Sequence, residues 1–116
     1  MASQDVTQVS DSDFDTVVLS SAMPVMVEFF APWCPHCRRM APAITALARD
    51  YAGRVKVVQV NVEGNMEAAG RYQVSGVPTM IFFANGQPVD RLVGEVSQER
   101  LVEHLDRVLA GQPQPG

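Results

Sequence analysis

The chain has only two cysteines, and just two residues separate them in the segment Ala31-Pro32-Trp33-Cys34-Pro35-His36-Cys37. This spacing constrains the fold, because one disulfide can join the two sulfurs if the backbone between them turns into a helix. Pro35 suits the first position of such a helix, where its missing N–H removes no hydrogen bond. The sequence therefore predicts Cys34 at a helix N-terminus and Cys37 one turn further along.

A cysteine at a helix N-terminus has a chemical consequence. The free N–H groups and the positive end of the helix dipole face the Cys34 sulfur and favour its thiolate form. Thiol–disulfide exchange begins with a thiolate, so Cys34 is the predicted nucleophile. Cys37, one helical turn further in, is expected to be shielded and to act second by attacking the mixed disulfide and releasing the reduced client.

Other chemistries for a close cysteine pair fit this chain less well. A zinc site needs about four ligands, whereas the chain offers the two cysteines, His36 between them and a distant His104. Covalent haem attachment needs a histidine directly after the second cysteine, and that position is Arg38. An inert core pair is a further alternative, but the neighbouring tryptophan and arginines are poor core residues. We expect no metal and no cofactor beyond the redox-active Cys34–Cys37 disulfide.

The surrounding pattern alternates between strands and helices. The apolar run 25–31 suits a central strand buried on both faces, and a helix is predicted from Cys34 to about Tyr51, with Gly53 ending it. The other predicted elements are a weak first strand, a helix over 14–19 capped by Asp11 or Ser12, a strand over 55–61, a short helix over 66–72, a hairpin of strands 79–84 and 89–93 around Asn85-Gly86, and a last helix to Leu109 capped by Ser97. This order predicts a mixed sheet with helices on both faces and mostly parallel crossovers.

Length, charge and hydropathy narrow the class of protein. A chain of 116 residues forms one domain, which we place at residues 1–110, with a flexible polar tail at 111–116. The net charge is −4 and no basic stripe is present, so we expect no nucleic-acid partner. No apolar stretch is long enough for a membrane span, and the N-terminus lacks the pattern of a secretory signal. We expect a cytoplasmic monomer; a protein from which a signal peptide had been removed would have the same sequence.

Several further motifs stand in a characteristic order: Val27-Glu-Phe-Phe-Ala-Pro-Trp-Cys34 through Cys37, Met40-Ala-Pro42, Val74-Ser-Gly-Val-Pro-Thr79, Asn85-Gly86 and Val93-Gly94. With these motifs the chain resembles a thioredoxin over residues 5–110. The resemblance implies the thioredoxin fold, an α/β architecture with a central mixed five-stranded sheet flanked by four helices. It also implies a protein-disulfide oxidoreductase that reduces client proteins and is recharged by a thioredoxin reductase.

The resemblance assigns further site residues. Pro78 is implied to be a cis-proline lying against the cysteine pair, the alternative being an ordinary trans-proline at a strand start. The Val77 backbone is implied to offer hydrogen bonds to an extended client peptide. A flat apolar docking surface around Cys34 is implied, formed by Trp33, Gly76, Val77, Val93 and Gly94; singly, each of these is an ordinary loop residue.

One departure from the family pattern concerns Glu28, where thioredoxins usually have aspartate. Because its strand is apolar on both sides, we expect burial to raise the pKa of the carboxyl and to suit it to exchange a proton with Cys37; an exposed edge glutamate is the alternative. The lysine that usually accompanies this acid is replaced by Gln59. The only lysine, Lys56, has the opposite strand parity and should point to the other face.

The other departure lies between the cysteines, where Pro35-His36 replaces the usual Gly-Pro. This dipeptide is found in periplasmic disulfide oxidases. A histidine here can donate to the Cys34 thiolate or stabilise its charge, which makes the disulfide more oxidising; a solvated, inactive histidine is the alternative. Two further functions therefore stay open: a disulfide oxidase or isomerase, and a thioredoxin-fold adaptor that binds partners without turnover, against which both intact cysteines argue.

Overall fold

The computed structural model describes residues 6–111 of the chain. Within that range the elements are β1 Thr7–Gln8, α1 Asp15–Leu19, β2 Val25–Phe30, α2 Pro35–Asp50, β3 Lys56–Asn61, α3 Met66–Arg71, β4 Thr79–Ala84, β5 Gln87–Val93 and α4 Gln98–Ala110. The predicted five-stranded mixed sheet with four helices is confirmed. The tail predicted at 111–116 lies outside the described residues except for Gly111. No helix within 6–111 has both the length and the apolar character needed to cross a membrane.

The strand order in the sheet is β1-β3-β2-β4-β5. Strands β1, β3 and β2 run parallel, whereas β4 is antiparallel to β2 and β5 is antiparallel to β4. The predicted parallel crossover from β2 through α2 to β3 is therefore present. Because β2 is the middle strand, the segment that follows its carboxyl end emerges at the centre of one sheet edge, and this segment carries the cysteine pair.

The side chains of β2 alternate between two buried layers, one on each face of the sheet. On one face Met26 packs with residues of α2 and α4, including Ile44, Leu47 and Leu101. On the other face Phe29 packs with residues of α1 and α3, including Val18 and Ala68, and with Phe14, which directly precedes α1. Glu28 has the parity of Met26, so its carboxyl group lies on the α2 side of the sheet.

The predicted cap of the first helix is wrong. Helix α1 has no side-chain cap, and the carboxylate of Asp11 instead accepts hydrogen bonds from the backbone N–H groups of Glu67 and Ala68 at the start of α3, at 3.1 and 2.9 Å. The hydroxyl of Ser12 lies 2.8 Å from that of Ser10. Asp11 therefore caps a helix distant along the chain, because the fold places its carboxylate beside the free N–H groups of α3.

The predicted hairpin is confirmed, with a longer second strand than expected. Asn85 and Gly86 have φ angles of 54° and 76°, which is the pair of left-handed residues that a two-residue hairpin turn requires. Strand β5 begins at Gln87 rather than Val89, and Pro88 lies opposite Phe83 beside a register shift. A proline is accommodated there because β5 is an edge strand.

Two glycines with positive φ provide a matched test of this turn. A Cβ at Gly86 would lie 2.8 Å from the carbonyl oxygen of Leu19, whereas a Cβ at Gly53, with φ of 85°, would meet nothing within 4 Å. We expect Gly53→Ala to destabilise the fold by about 1 kcal/mol through left-handed strain alone. Gly86→Ala should lose about 1–3 kcal/mol more, because the backbone must move. Urea denaturation measures both, and equal losses would contradict a clash with Leu19.

Candidate redox active site

The cysteine pair lies where the predicted strand–helix junction places it. Cys34 is the N-cap of α2, with an extended backbone, and Pro35 is the first helical residue. The backbone N–H of Cys34 donates to the carbonyl of Ala31 at 3.1 Å. The N–H of Cys37 donates to the Cys34 sulfur at 3.2 Å. The sulfur thus occupies the position of a capping acceptor and receives a hydrogen bond that favours a negative charge on it.

Both cysteines are buried free thiols. The Cys34 Sγ also lies 3.8 Å from the carbonyl oxygen of Val77, to which its thiol donates. Burial and, to a smaller degree, the hydrogen bond with Cys34 raise the pKa of Cys37 to about 12. Cys37 is therefore a neutral thiol at neutral pH, and part of what keeps it protonated is the adjacent free thiol of Cys34.

The loop before β4 approaches the pair from the opposite side. The Val77–Pro78 peptide bond is cis, as the resemblance implied. The hydroxyl of Thr79 donates to the carbonyl of Gly76 at 2.7 Å, and the N–H of Gly94 donates to the carbonyl of Pro78 at 2.8 Å. These bonds tie the loop before β4 to the loop after β5 at the active-site edge of the sheet.

A groove runs beside Cys34 along this edge. Trp33, Gly76 and Val77 line it, together with Cys34, Pro35, His36, Val62, Val74 and Ser75. Val93 and Gly94 are outside the groove lining, although the N–H of Gly94 donates to Pro78, the residue after Val77. Trp33 and Val93 are 61% and 64% exposed. The structure thus brings three of the five predicted docking residues into one groove, and their role in docking stays a prediction.

Three groove neighbours were absent from the sequence prediction: Val62, Glu63 and Val74. The indole N–H of Trp33 donates to the carboxylate of Glu63 at 2.7 Å, which fixes the orientation of the exposed ring. Val62 and Glu63 directly follow β3, whose carboxyl end meets the same sheet edge as that of the parallel strand β2. That topological position was the available signal.

Glu28 is buried, as predicted, with 1% of the residue exposed. Burial raises the pKa of its carboxyl to about 7, partly offset by a hydrogen bond from Gln59. The Gln59 amide donates to Oε1 at 2.7 Å, and the Gln8 amide donates to Gln59 at 2.6 Å. Lys56 points to the other face, as predicted, where its ammonium donates to the carbonyl of Val17 at 3.1 Å.

Glu28 and Cys37 line the same cavity beneath the start of α2. Gln8, Gln59 and Arg38 also line it, with Phe30, Ala31, Pro32 and Ala41. The second carboxylate oxygen of Glu28, Oε2, is buried and has no hydrogen-bond partner among residues 6–111. Such an oxygen is available to accept a proton delivered through the cavity. The sequence did not single out Gln8, although it stands opposite Gln59 in the register of β1 with β3.

His36 points towards a residue that the sequence did not single out. Its Nδ1 lies 2.9 Å from Oε1 of Glu95, and Nε of Arg39 donates to both carboxylate oxygens of Glu95 at 3.0 and 3.2 Å. Arg39 and, to a smaller degree, His36 lower the pKa of Glu95. Within the described chain no hydrogen bond joins His36 to Cys34, so the predicted donation to the sulfur is not observed. Two signals were available: Glu95 follows the Val93-Gly94 motif, and Arg39 lies one helical turn after His36.

The remaining histidine lies away from the cysteines. His104, on α4, has its Nδ1 2.5 Å from the carboxylate of Asp90 and stacks on the ring of Phe82. In the part of the chain that the structure describes, no three His, Cys, Asp or Glu side chains are grouped as a metal ion would require.

A nucleophilic sulfur at a helix N-terminus, a second thiol one turn away and an accessible apolar groove together serve one chemistry, the exchange of electrons between a dithiol and a protein disulfide. Fold and site thus define a thiol–disulfide oxidoreductase. The thioredoxin family model matches residues 5–107, and the chain belongs to the thioredoxin family.

Curated relatives agree with this assignment, and the chain covers nearly the whole length of the first two. Thioredoxin 1 of Nostoc sp. is 43% identical over 102 residues, which cover 88% of this chain and 95% of the relative. A thioredoxin of Staphylococcus aureus is 40% identical over 104 residues, 90% of this chain and 98% of the relative. The chloroplastic thioredoxin M4 of Arabidopsis thaliana is 41% identical over 93% of this chain and 56% of its own length.

Proposed function

We propose that this thioredoxin works as a reductant of disulfides in client proteins, with Cys34 as the attacking and Cys37 as the resolving cysteine. The observation that carries the proposal is the position of the Cys34 sulfur. It caps α2, accepts a hydrogen bond from the N–H of Cys37 at 3.2 Å and borders the exposed groove. The sulfur that meets a client is therefore the one that the helix stabilises as a thiolate.

In the first step the Cys34 thiolate attacks one sulfur of a client disulfide. A bond forms between Cys34 and that sulfur, the disulfide bond of the client breaks, and the leaving sulfur departs as a thiolate that takes up a proton. The cis-Pro78 loop and the docking surface support an extended client peptide here. We expect the Val77 backbone to hydrogen-bond the peptide, because the carbonyl oxygen of Val77 lies 3.8 Å from the Cys34 sulfur that the client approaches.

In the second step Cys37 loses its proton and attacks Cys34. The Cys34–Cys37 disulfide forms, the bond from Cys34 to the client breaks, and the client leaves as a thiol after protonation. The pKa of Cys37 is about 12 partly because the free Cys34 raises it. Once Cys34 is bound to a client it can no longer carry a thiolate charge, so the part of the pKa shift that is due to Cys34 is lost, while the larger part that is due to burial remains. Attachment of a client therefore lowers the barrier to deprotonation of Cys37.

We assign to Glu28 the acceptance of the Cys37 proton. The two groups line one cavity, and Glu28, with a pKa of about 7, exists in both protonation states near neutral pH. Gln59 donates to one carboxylate oxygen and is itself held by Gln8, which leaves Oε2 for the proton. Neutral amides here take the place of a cation and leave the proton affinity of the carboxyl high.

The cycle closes when a thioredoxin reductase returns two electrons to the Cys34–Cys37 disulfide, with no further cofactor in this chain. We place the protein in the cytoplasm as a monomer that acts on proteins rather than on nucleic acids or membranes. The acidic balance, with a net charge of −4, supports the exclusion of nucleic acid.

Equilibration of the protein with glutathione buffers of known ratio tests the proposed direction. We expect a reduction potential nearer to about −270 mV, the value for a reducing thioredoxin, than to about −120 mV, the value for a strong periplasmic oxidase. A value near the oxidase would support the oxidase alternative suggested by Pro35-His36. An adaptor without turnover would instead fail to reduce insulin disulfides when supplied with dithiothreitol.

A further inference from the structure

We propose that Glu95 is a positioning residue that binds the ring N–H of His36, places a negative charge beside Arg39 and thereby keeps the cysteine pair reducing. The inference rests on the proposed function and deepens it, because it explains how a chain with Pro35-His36 between its cysteines can act as a reductant. The argument depends on three side chains at the active-site edge: His36 and Arg39 of α2, and Glu95 of the loop between β5 and α4.

One oxygen of Glu95 receives most of the contacts. Oε1 lies 2.9 Å from Nδ1 of His36, 3.0 Å from Nε of Arg39 and 2.9 Å from Nη2 of Arg39. Glu95 is more covered than its partners, with 35% of its side chain exposed against 57% for His36 and 55% for Arg39. The carboxylate therefore links the first turns of α2 to the loop after β5, across the 59 positions that separate His36 from Glu95.

The contacts determine whether Nδ1 of His36 carries a hydrogen. Arg39 Nη2 also lies 2.8 Å from Nδ1 of His36, but a single ring nitrogen either donates or accepts. If Nδ1 accepted from Arg39, its lone pair would face the Glu95 oxygen at 2.9 Å, which is repulsive. If Nδ1 donates to Oε1, Nη2 of Arg39 donates to the same oxygen, and the negative carboxylate between the two nitrogens compensates for their close approach. The consistent arrangement is an imidazole N–H directed at Glu95 and away from Cys34.

This arrangement opposes the oxidising influence of the histidine. A positive or hydrogen-bonding group beside Cys34 stabilises the thiolate, hence the dithiol form, and makes the disulfide a stronger oxidant. Arg39 is close enough to interact electrostatically with Cys34, and His36 lies two residues from it. Glu95 supplies a negative charge to both side chains and holds the imidazole N–H. Loss of the carboxylate would leave both groups free to stabilise the thiolate.

Glu95→Gln tests the proposal, because it removes the charge with little change of shape. In glutathione equilibrium we expect the variant to favour the dithiol form about tenfold more than the wild type, equivalent to a potential about 30 mV less negative. The rate of Cys34 alkylation by iodoacetamide at mildly acidic pH should rise in parallel, since the thiolate is the reacting species. A role confined to folding would change neither readout.

Glu99→Gln is the matched control, since Glu99 is an exposed glutamate at the start of α4 and its loss changes the net charge equally. We expect this variant to keep the wild-type glutathione equilibrium. In a His36→Gln background, Glu95→Gln should produce a smaller shift, because only Arg39 is then released from the carboxylate. An unchanged equilibrium in Glu95→Gln, or an equal shift with His36 absent, overturns the proposal. Insulin reduction by the wild type is a separate measurement and fails only if the proposed function is wrong.

Discussion

Cys37→Ser is expected to turn the protein into a covalent trap that remains joined to its clients through Cys34. The first attack needs only the Cys34 thiolate, whereas release of the client needs the sulfur at position 37. The hydrogen bond that stabilises the Cys34 sulfur comes from the backbone N–H of residue 37, so serine preserves it. Insulin reduction should fall to background. Non-reducing electrophoresis should then show mixed disulfides that disappear on addition of dithiothreitol.

Cys34→Ser is the matched control, because it removes the other sulfur of the pair with the same change of atom. It should lose insulin reduction as completely and yet form no mixed disulfide, since burial, the largest cause of the raised pKa of Cys37, is unchanged and keeps this thiol protonated. Both variants should stay folded, because serine differs from cysteine only by an oxygen in place of the slightly larger sulfur. Trapping by Cys34→Ser, or retention of its activity, would refute the assigned order of attack.

The wild type is expected to lose stability as the pH rises from 4.5 to about 7, because Glu28 ionises in this range. Glu28→Gln is expected to abolish most of this pH dependence. The pKa of this carboxyl is about 7 in the folded protein against an ordinary value of 4.5. Between these values the folded state holds the proton more tightly than the unfolded state does. The free energy of unfolding therefore falls as the pH rises from 4.5 to 7 and then levels off.

The expected size follows from the same two values. A difference between 4.5 and about 7 corresponds to about 3 kcal/mol of stability, complete below 4.5 and absent above 7. Glutamine has no proton to lose, so the variant should lack this contribution to the pH dependence. Its amide keeps the acceptor for Gln59 but buries an unpaired N–H group in place of Oε2. The slope against pH, rather than the stability at one pH, is thus the informative quantity.

Urea unfolding at several pH values measures that slope, and Glu103→Gln is the control. Glu103 is an exposed residue of α4, so its replacement should leave the wild-type pH dependence in place. The other groups, among them His104 and Asp90, whose side chains lie 2.5 Å apart, are common to all three proteins and cancel in the comparison. Equal slopes for Glu28→Gln and the wild type would show that Glu28 is not desolvated, and would remove the basis for its role as a proton acceptor.

Local patterns were sufficient where one short segment carries the information. The apolar run of β2, the proline after Cys34 and the Asn85-Gly86 pair each restrict their own backbone, and the structure has the strand, the helix start and the turn at these places. Asp11 shows the limit of such reasoning. Its side chain is a good cap for the helix that follows it, but the fold offered it the free N–H groups of α3 instead.

The sequence alone determined the family, the reaction and the parity by which Glu28 and Gln59 share one face while Lys56 takes the other. The family follows from the resemblance of the motifs and the reaction from the spacing of the two cysteines. The parity follows from strand periodicity, which acts over a few residues. Only the tertiary structure decided that Gln8 supports Gln59 and that Glu95 holds His36. Both contacts join residues more than 50 positions apart. They depend on strand order and loop docking, which bring together segments that no local pattern connects.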